Sequence, residues 1–297
     1  MKSSSHLKSI LLALLVTLLW STSFVIIKLG LKEIPPLTFA GLRYSIAFLC
    51  LLPFVFSQKN KTIIKNLQRK DWLKLFLLGV LFYSFTQGTQ FIGLSLLPAV
   101  TVSLWLNFTP LIVVVLAFFL IKEFPTLAQW TGVIIFIIGI ITYFYPIVLS
   151  DNQSFGLIVM TAGVFANAAS AVLGRSINRK GNVNPLIVTI ISMGIGSVLL
   201  LLSEIIIQGI SAISFQNVLF LFWLAIVNTA LAFTIWNLTL RTLTAMESSI
   251  INRNHAGTNS SACMDFSRRR NFTAGMVWNA DCFCRCFVGS DKIKKPG

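Results

Sequence analysis

The chain has 297 residues, 56% of them hydrophobic and 11% charged, with mean hydropathy +0.82. A soluble domain carries about 25% charged residues, so a water-facing globular surface is excluded and a lipid-facing one is expected. The formal net charge of +15 does not make a nucleic-acid surface: residues 1–252 hold 16 Lys or Arg and 6 acids, and most of the basic ones sit in short loops between apolar runs.

A helix needs about 20 apolar residues to cross a bilayer core. The sequence predicts eight such spans, near 9–29, 35–56, 73–94, 98–121, 127–146, 155–175, 184–207 and 217–239. The first follows Lys2 and Lys8 as a signal peptide would, but no small-residue cleavage site appears. The apolar run continues through Trp20–Ile27, so it reads as an uncleaved span. Proline stands at several entries (Pro35, Pro36, Pro98, Pro185), where its missing N–H costs little. Lys2 and Lys8, the Lys59–Lys74 basic loop, Lys122, the Arg175–Lys180 cluster and Arg241 all fall on one side of the membrane. Basic excess marks the cytoplasmic side, so the N-terminus is expected there. Cys50 is the only cysteine before residue 253, which leaves no disulfide framework.

The chain also repeats itself. Spans 1 and 6 lead into Pro36-Leu37 and Pro185-Leu186, and Leu97–Ser103 parallels Leu243–Ser249 at an offset of 146. Five spans per unit would insert the second copy upside down, the inverted design of many secondary transporters. The expected domains are a first repeat at 9–146, a second at 155–252 with only three spans, and a non-native tail at 253–297. The tail holds 8 Lys or Arg, 3 acids, four of the five cysteines and no apolar window long enough to span. Read one nucleotide later, permissible codons from Asn252 onward can encode two apolar spans around an acidic turn. The Glu, Trp and Gly of that hidden segment fall opposite Glu123, Trp130 and Gly132. A frameshift near Asn252 that overwrote spans 9 and 10 accounts for this. The Cys282/Cys284/Cys286 spacing is a weak match to metal sites, and Arg268–Arg270 reads as a solvated run.

Polar groups at membrane depth are costly and face the protein interior or a water path. The candidate cavity residues are Trp20; Tyr83, Gln87 and Gln90 on one helical face; Trp105 and Asn107 before Pro110; Asn167; and Asn228, Trp236 and Asn237. Each also has a packing reading, since polar and small residues bond membrane helices together. Ser21, Ser23, Ser170 and Gly174 favour packing. Arg43 lies seven residues past Pro36, roughly 10 Å into its helix, where a charge costs roughly 2.5–3.5 kcal/mol on insertion scales. A gating or structural role is expected for it. No acid lies at mid-depth in the eight spans, and Glu247 would open a ninth. There is no phosphate loop, no metal spacing and no Ser/His/Asp set, so no enzyme activity and no cofactor is expected.

Trp20-Ser-Thr-Ser-Phe24, Ile34–Arg43, Leu96-Leu-Pro-Ala-Val100, Pro110 and Lys122-Glu123 resemble the EamA branch of the drug/metabolite transporter superfamily over residues 9–252. The resemblance implies an all-α membrane bundle of two inverted five-helix repeats in a bacterial inner membrane, with both termini cytoplasmic. It implies efflux or exchange of small polar metabolites, amino acids among them, through a central cavity by alternating access. The implied partners are a small-molecule substrate and the bilayer, with a homodimer allowed and no nucleic acid. The loss of the last two spans would impair transport. The rival reading is a non-transporting eight-span protein whose basic tail recruits anionic lipid or protein partners.

Overall fold

The computed structural model describes residues 2–121, 134, 138, 151–179, 181, 183–207 and 213–253. The predicted fifth span at 127–146, save residues 134 and 138, and the tail beyond residue 253 lie outside them. Among the described residues every element is helical and there is no strand. In chain order these are α1 (Lys2–Gly30), α2 (Pro36–Leu51), α3 (Gln58–Lys65), α4 (Arg69–Leu96), α5 (Ala99–Leu106), α6 (Thr109–Ile121), α7 (Asp151–Arg179), α8 (Pro185–Ile207), α9 (Phe215–Thr239) and α10 (Ala245–Arg253). Seven stretches are long and apolar enough to cross a membrane: 6–30, 36–56, 69–96, 101–120, 153–179, 185–203 and 215–239. Their outer faces carry Leu, Phe and Trp that water would not favour, such as Leu11, Phe119, Phe155 and Trp223. In hydrocarbon the backbone has no water to bond, and a helix satisfies it internally.

Local chemistry sets the ends. Gln68 and Asp71 form a capping box that starts α4 one turn before its apolar part. Gly181, at φ +69°, takes the left-handed turn that follows α7. Span 4 is broken: α5 stops at Leu106, and α6 restarts at Thr109 with Pro110 in its first turn. The gap is closed by short-range bonds, Asn107 N–H to Leu104 O and Phe108 N–H to Trp105 O. Thr244 and Glu247 start α10 with a reciprocal cap: the Thr244 N–H donates to Glu247 Oε2 at 2.8 Å, and the Glu247 N–H to Thr244 Oγ1 at 3.2 Å. The same carboxylate lies 3.5 Å from His6, which ties the start of α10 to the start of α1.

The helix contacts come in pairs. α1 packs on α9 and α10, as α7 packs on α4, α5 and α6. α2 and α8 cross each other at the centre, and each also packs on the long helix of the other half. α1 and α7 are both 29 residues long. α4 and α9 each widen into a π-helical segment, at Gly79–Thr86 and Ile226–Leu231. Moving the first by the 146-residue offset gives 225–232, which encloses the second. The wider turn shows in the side chains: Thr86 and Thr229 donate their hydroxyls to carbonyls five residues back, Leu81 O at 2.7 Å and Leu224 O at 2.8 Å.

α8 approaches the first π segment backbone to backbone. A Cβ placed on Gly196 would lie 2.4 Å from Tyr83 Cβ and 2.7 Å from Gly79 O. Ser192 and Gly196 thus form the small-xxx-small pattern that lets membrane helices approach closely.

Candidate substrate cavity

The buried polar residues gather where α1, α2, α4, α7 and α9 meet. α1 brings Trp20, which donates its indole N–H to Asn228 O at 3.0 Å. α2 brings Arg43, 3% exposed, whose Nε donates to Thr229 Oγ1 at 2.7 Å and Nη2 to Asn228 O at 3.2 Å. Two side chains can share this carbonyl because the π segment turns the Ala232 N–H toward Thr229 O instead. π-bulges recur at functional sites for this kind of reason. The Asn228 amide points the other way, donating to Leu19 O, Thr22 Oγ1 and Ser23 Oγ at 2.8, 3.0 and 2.7 Å.

Two small cavities lie beside this node. One, of about 30 Å³, is lined by Tyr83, Asn167, Ser170, Trp236 and Asn237 among others. The second, of about 40 Å³, is lined by Trp20, Arg43, Tyr44, Gln87, Gln90 and Asn167 among others. Phe82, Asn167 and Asn252 border both. Each has room for about two to four waters. An aromatic cluster borders the larger one. Phe233 is at its centre, with ring centroids 4.9 Å from Trp20, 5.2 Å from Tyr83, 5.4 Å from Phe82 and 6.1 Å from Tyr44. Trp20 also meets Trp236 at 5.2 Å.

Of the residues singled out in the sequence, Trp20, Arg43, Gln87, Gln90 and Asn167 line the larger cavity, and Tyr83, Asn167, Trp236 and Asn237 the smaller. Tyr83 and the two glutamines were expected on one face. The π segment ends at Thr86, between them, and its extra width turns Tyr83 toward the smaller cavity. The Tyr83 hydroxyl lies beside Asn237 and Ser192 without reaching hydrogen-bond geometry. Asn237 is held by Thr189 Oγ1 at 3.0 Å and by the Asn178 amide at 2.9 Å. Trp105, Asn107 and Asn228 line neither of these two cavities. Trp105 bonds Thr161 at 3.0 Å, and Asn107 is buried at the span 4 break with its Oδ1 unmatched among the described residues.

Tyr44, Phe82, Thr86 and Phe233 were not singled out and line the larger cavity. With 25 phenylalanines in the chain, residue type carries no signal for Phe82 or Phe233. Ser170 and Gly174, read as packing residues, border the smaller cavity, and Asn167 donates to Thr109 Oγ1 at 3.4 Å across it.

Among the described residues, an all-helical bundle with buried polar side chains and seven long apolar spans is that of a polytopic membrane protein. Residues 7–145 match the EamA-like transporter family. That match covers just under half of the chain, and together with relatives named as transporters and efflux pumps it points to an EamA-type transporter of the drug/metabolite transporter superfamily rather than an enzyme. The chain is similar to an uncharacterized transporter, YoaV, of Bacillus subtilis (strain 168), 27% identical over 79% of this chain and 80% of that one. It is also similar to a probable amino-acid metabolite efflux pump of Salmonella typhimurium, 28% identical over 76% and 75%. A solved crystal structure superposes with TM-score 0.76 at 15% identity, covering 95% of this chain and 98% of that one, a likeness of fold.

Proposed function

We propose that this protein exports or exchanges small polar metabolites, amino acids among them, across a bacterial inner membrane, with its N-terminus cytoplasmic. The observation that carries the reading is the pair of adjoining cavities that share Phe82, Asn167 and Asn252, with the Phe233 aromatic cluster bordering the larger. Each is too small for a metabolite as it stands, so passage requires one side to widen while the aromatic cluster closes the other. Paired helix contacts supply two similar halves for such rocking about a central site. The name of the Salmonella relative supports the amino-acid class.

The same reading assigns residues 9–146 to a first five-helix repeat and 155–252 to a second that has lost its last two spans to a shifted reading frame. The matching π segments and the family match ending at residue 145 support the division. The missing spans would wall the cavity beside α10, so the present chain should transport weakly. Metabolite profiling of cells expressing this chain and a frame-repaired gene tests both parts. Restored efflux after repair is expected. Equal transport by the two chains would overturn the impairment, and a locus without apolar coding in the shifted frame would remove the frameshift.

A further inference from the structure

Among the described residues that line the larger cavity, Arg43 is the one charged group and none is an acid. A guanidinium has five N–H donors. Two are engaged, by Thr229 Oγ1 and Asn228 O, which leaves three. Among the described residues no carboxylate lies within ion-pair distance of Arg43. A buried cation without a counter-charge is costly. Thr229 and Asn228 orient the group but do not neutralise it.

The chemistry around Arg43 specifies the ligand it would take. One guanidinium matches a monoanion; a phosphate carrying two charges would leave one uncompensated. Its planar fork fits a carboxylate in two parallel bonds. The walls around it combine the rings of Trp20, Tyr44 and Phe233 with the Gln87 and Gln90 amides. Such walls fit a body that is aromatic or broadly apolar. With no acid in the lining, an amine on the ligand has no ionic partner there, so the carboxylate is the feature the site requires.

We infer that Arg43 is the seat for the carboxylate of a small substrate with an aromatic or large apolar body. This rests on the transporter reading and names its substrate class. Amino acids and amine-free aryl carboxylates share that chemistry. Thr229 and Asn228 hold the guanidinium in position, and Trp20, bonded to the same carbonyl, places its ring beside the seat.

The test is titration of the purified full chain in lipid nanodiscs, followed by intrinsic tryptophan fluorescence. The ligands are 3-phenylpropanoate, L-phenylalanine, neutral 3-phenylpropanamide and phenylethylamine. Saturable binding of 3-phenylpropanoate is expected, with the amide and the amine at least about tenfold weaker. L-Phenylalanine binding as tightly as 3-phenylpropanoate assigns the seat to amino acids as well; weaker binding assigns it to amine-free acids. Arg43→Lys keeps the charge but loses the fork, and should weaken carboxylate binding about tenfold. If that variant does not fold, the ligand series on the unaltered chain decides. The inference is overturned if the amide binds as well as the acid, or if no carboxylate saturates. Transport by the frame-repaired chain is scored separately. Transport with charge-blind binding sinks the Arg43 assignment alone, and charge-selective binding without transport sinks the transporter reading alone.

Discussion

Gly196→Ala should separate α8 from the first π segment. An added Cβ would meet Tyr83 Cβ at 2.4 Å, Gly79 O at 2.7 Å and Ser84 N at 3.0 Å. Carbon atoms prefer about 3.5–4.0 Å, so the shortest contact is too close by more than about 1 Å. Two of the three neighbours are backbone atoms and the third is a Cβ, so no rotamer change relieves the clash. The helices must part or the π segment must shift. Overpacking of this kind costs about 1–3 kcal/mol, and the immobility of all three neighbours places this case toward the upper end. Gly88→Ala is the internal control. Its Cβ would meet the ends of two leucines, Leu200 and Leu37, at 3.3 and 3.4 Å, which can move aside. There the gain in helix propensity, up to about 1 kcal/mol, should offset the contact. Thermal unfolding of both variants in one detergent measures the difference. If Gly196→Ala unfolds at the temperature of Gly88→Ala, the close crossing of α8 and α4 does not exist as described.

Two further substitutions test particular bonds. Thr229→Val keeps the shape but removes the acceptor 2.7 Å from Arg43 Nε, leaving a buried charged donor unmatched. It should cost about 1–3 kcal/mol, with Thr229→Ser restoring most of it, and a valine variant of unchanged midpoint would remove Thr229 as the anchor of Arg43. Thr244→Val removes the hydroxyl that accepts from the Glu247 N–H at 3.2 Å. A loss of about 1 kcal/mol is expected, read as earlier proteolysis or faster amide exchange in 245–253, and unchanged exchange there would show that the cap does not start α10.

Much of this architecture was legible because membrane helices announce themselves by length and composition. Proline entries placed the starts of α2 and α8, and the Gln68/Asp71 cap shows why α4 begins before its apolar run. Gln87 and Gln90 were readable as cavity residues because a buried amide in lipid needs a reason. Asn228 met the same criterion and turned out to be a junction between α9 and α1. Sequence gives a residue's depth and polarity, but not whether its neighbour is a cavity or another helix. The π segments had no signature at all. They reassign Tyr83 and free the Asn228 carbonyl, and only backbone geometry reveals that. Phe233 was invisible for the opposite reason, as one phenylalanine among many.

Under the proposed two-repeat reading, the halves share paired helix contacts and matching π segments but differ in side chains where it matters. A 149-residue shift, which carries Pro36 onto Pro185, carries Arg43 onto Ser192; the 146-residue shift carries Tyr83 onto Thr229. The Arg43–Thr229 contact in one half is therefore matched by Ser192 beside Tyr83 in the other. Ser192 turns its hydroxyl back onto Val188 O of its own helix, and Tyr83 is fully buried beside it. The close crossing follows the same rule: Gly79 and Gly196 correspond to Ala225 and Ala47, small residues buried at equivalent depth. Small residues therefore stand at these positions in both halves, as close helix approach requires. The charge is placed in only one. Under the proposed reading, a solute moving from the Arg43 cavity to the Tyr83 cavity leaves the only cation among the described residues that line either of them. For a carboxylate that is a step downhill in affinity, so a near-symmetric scaffold acquires two unequal ends.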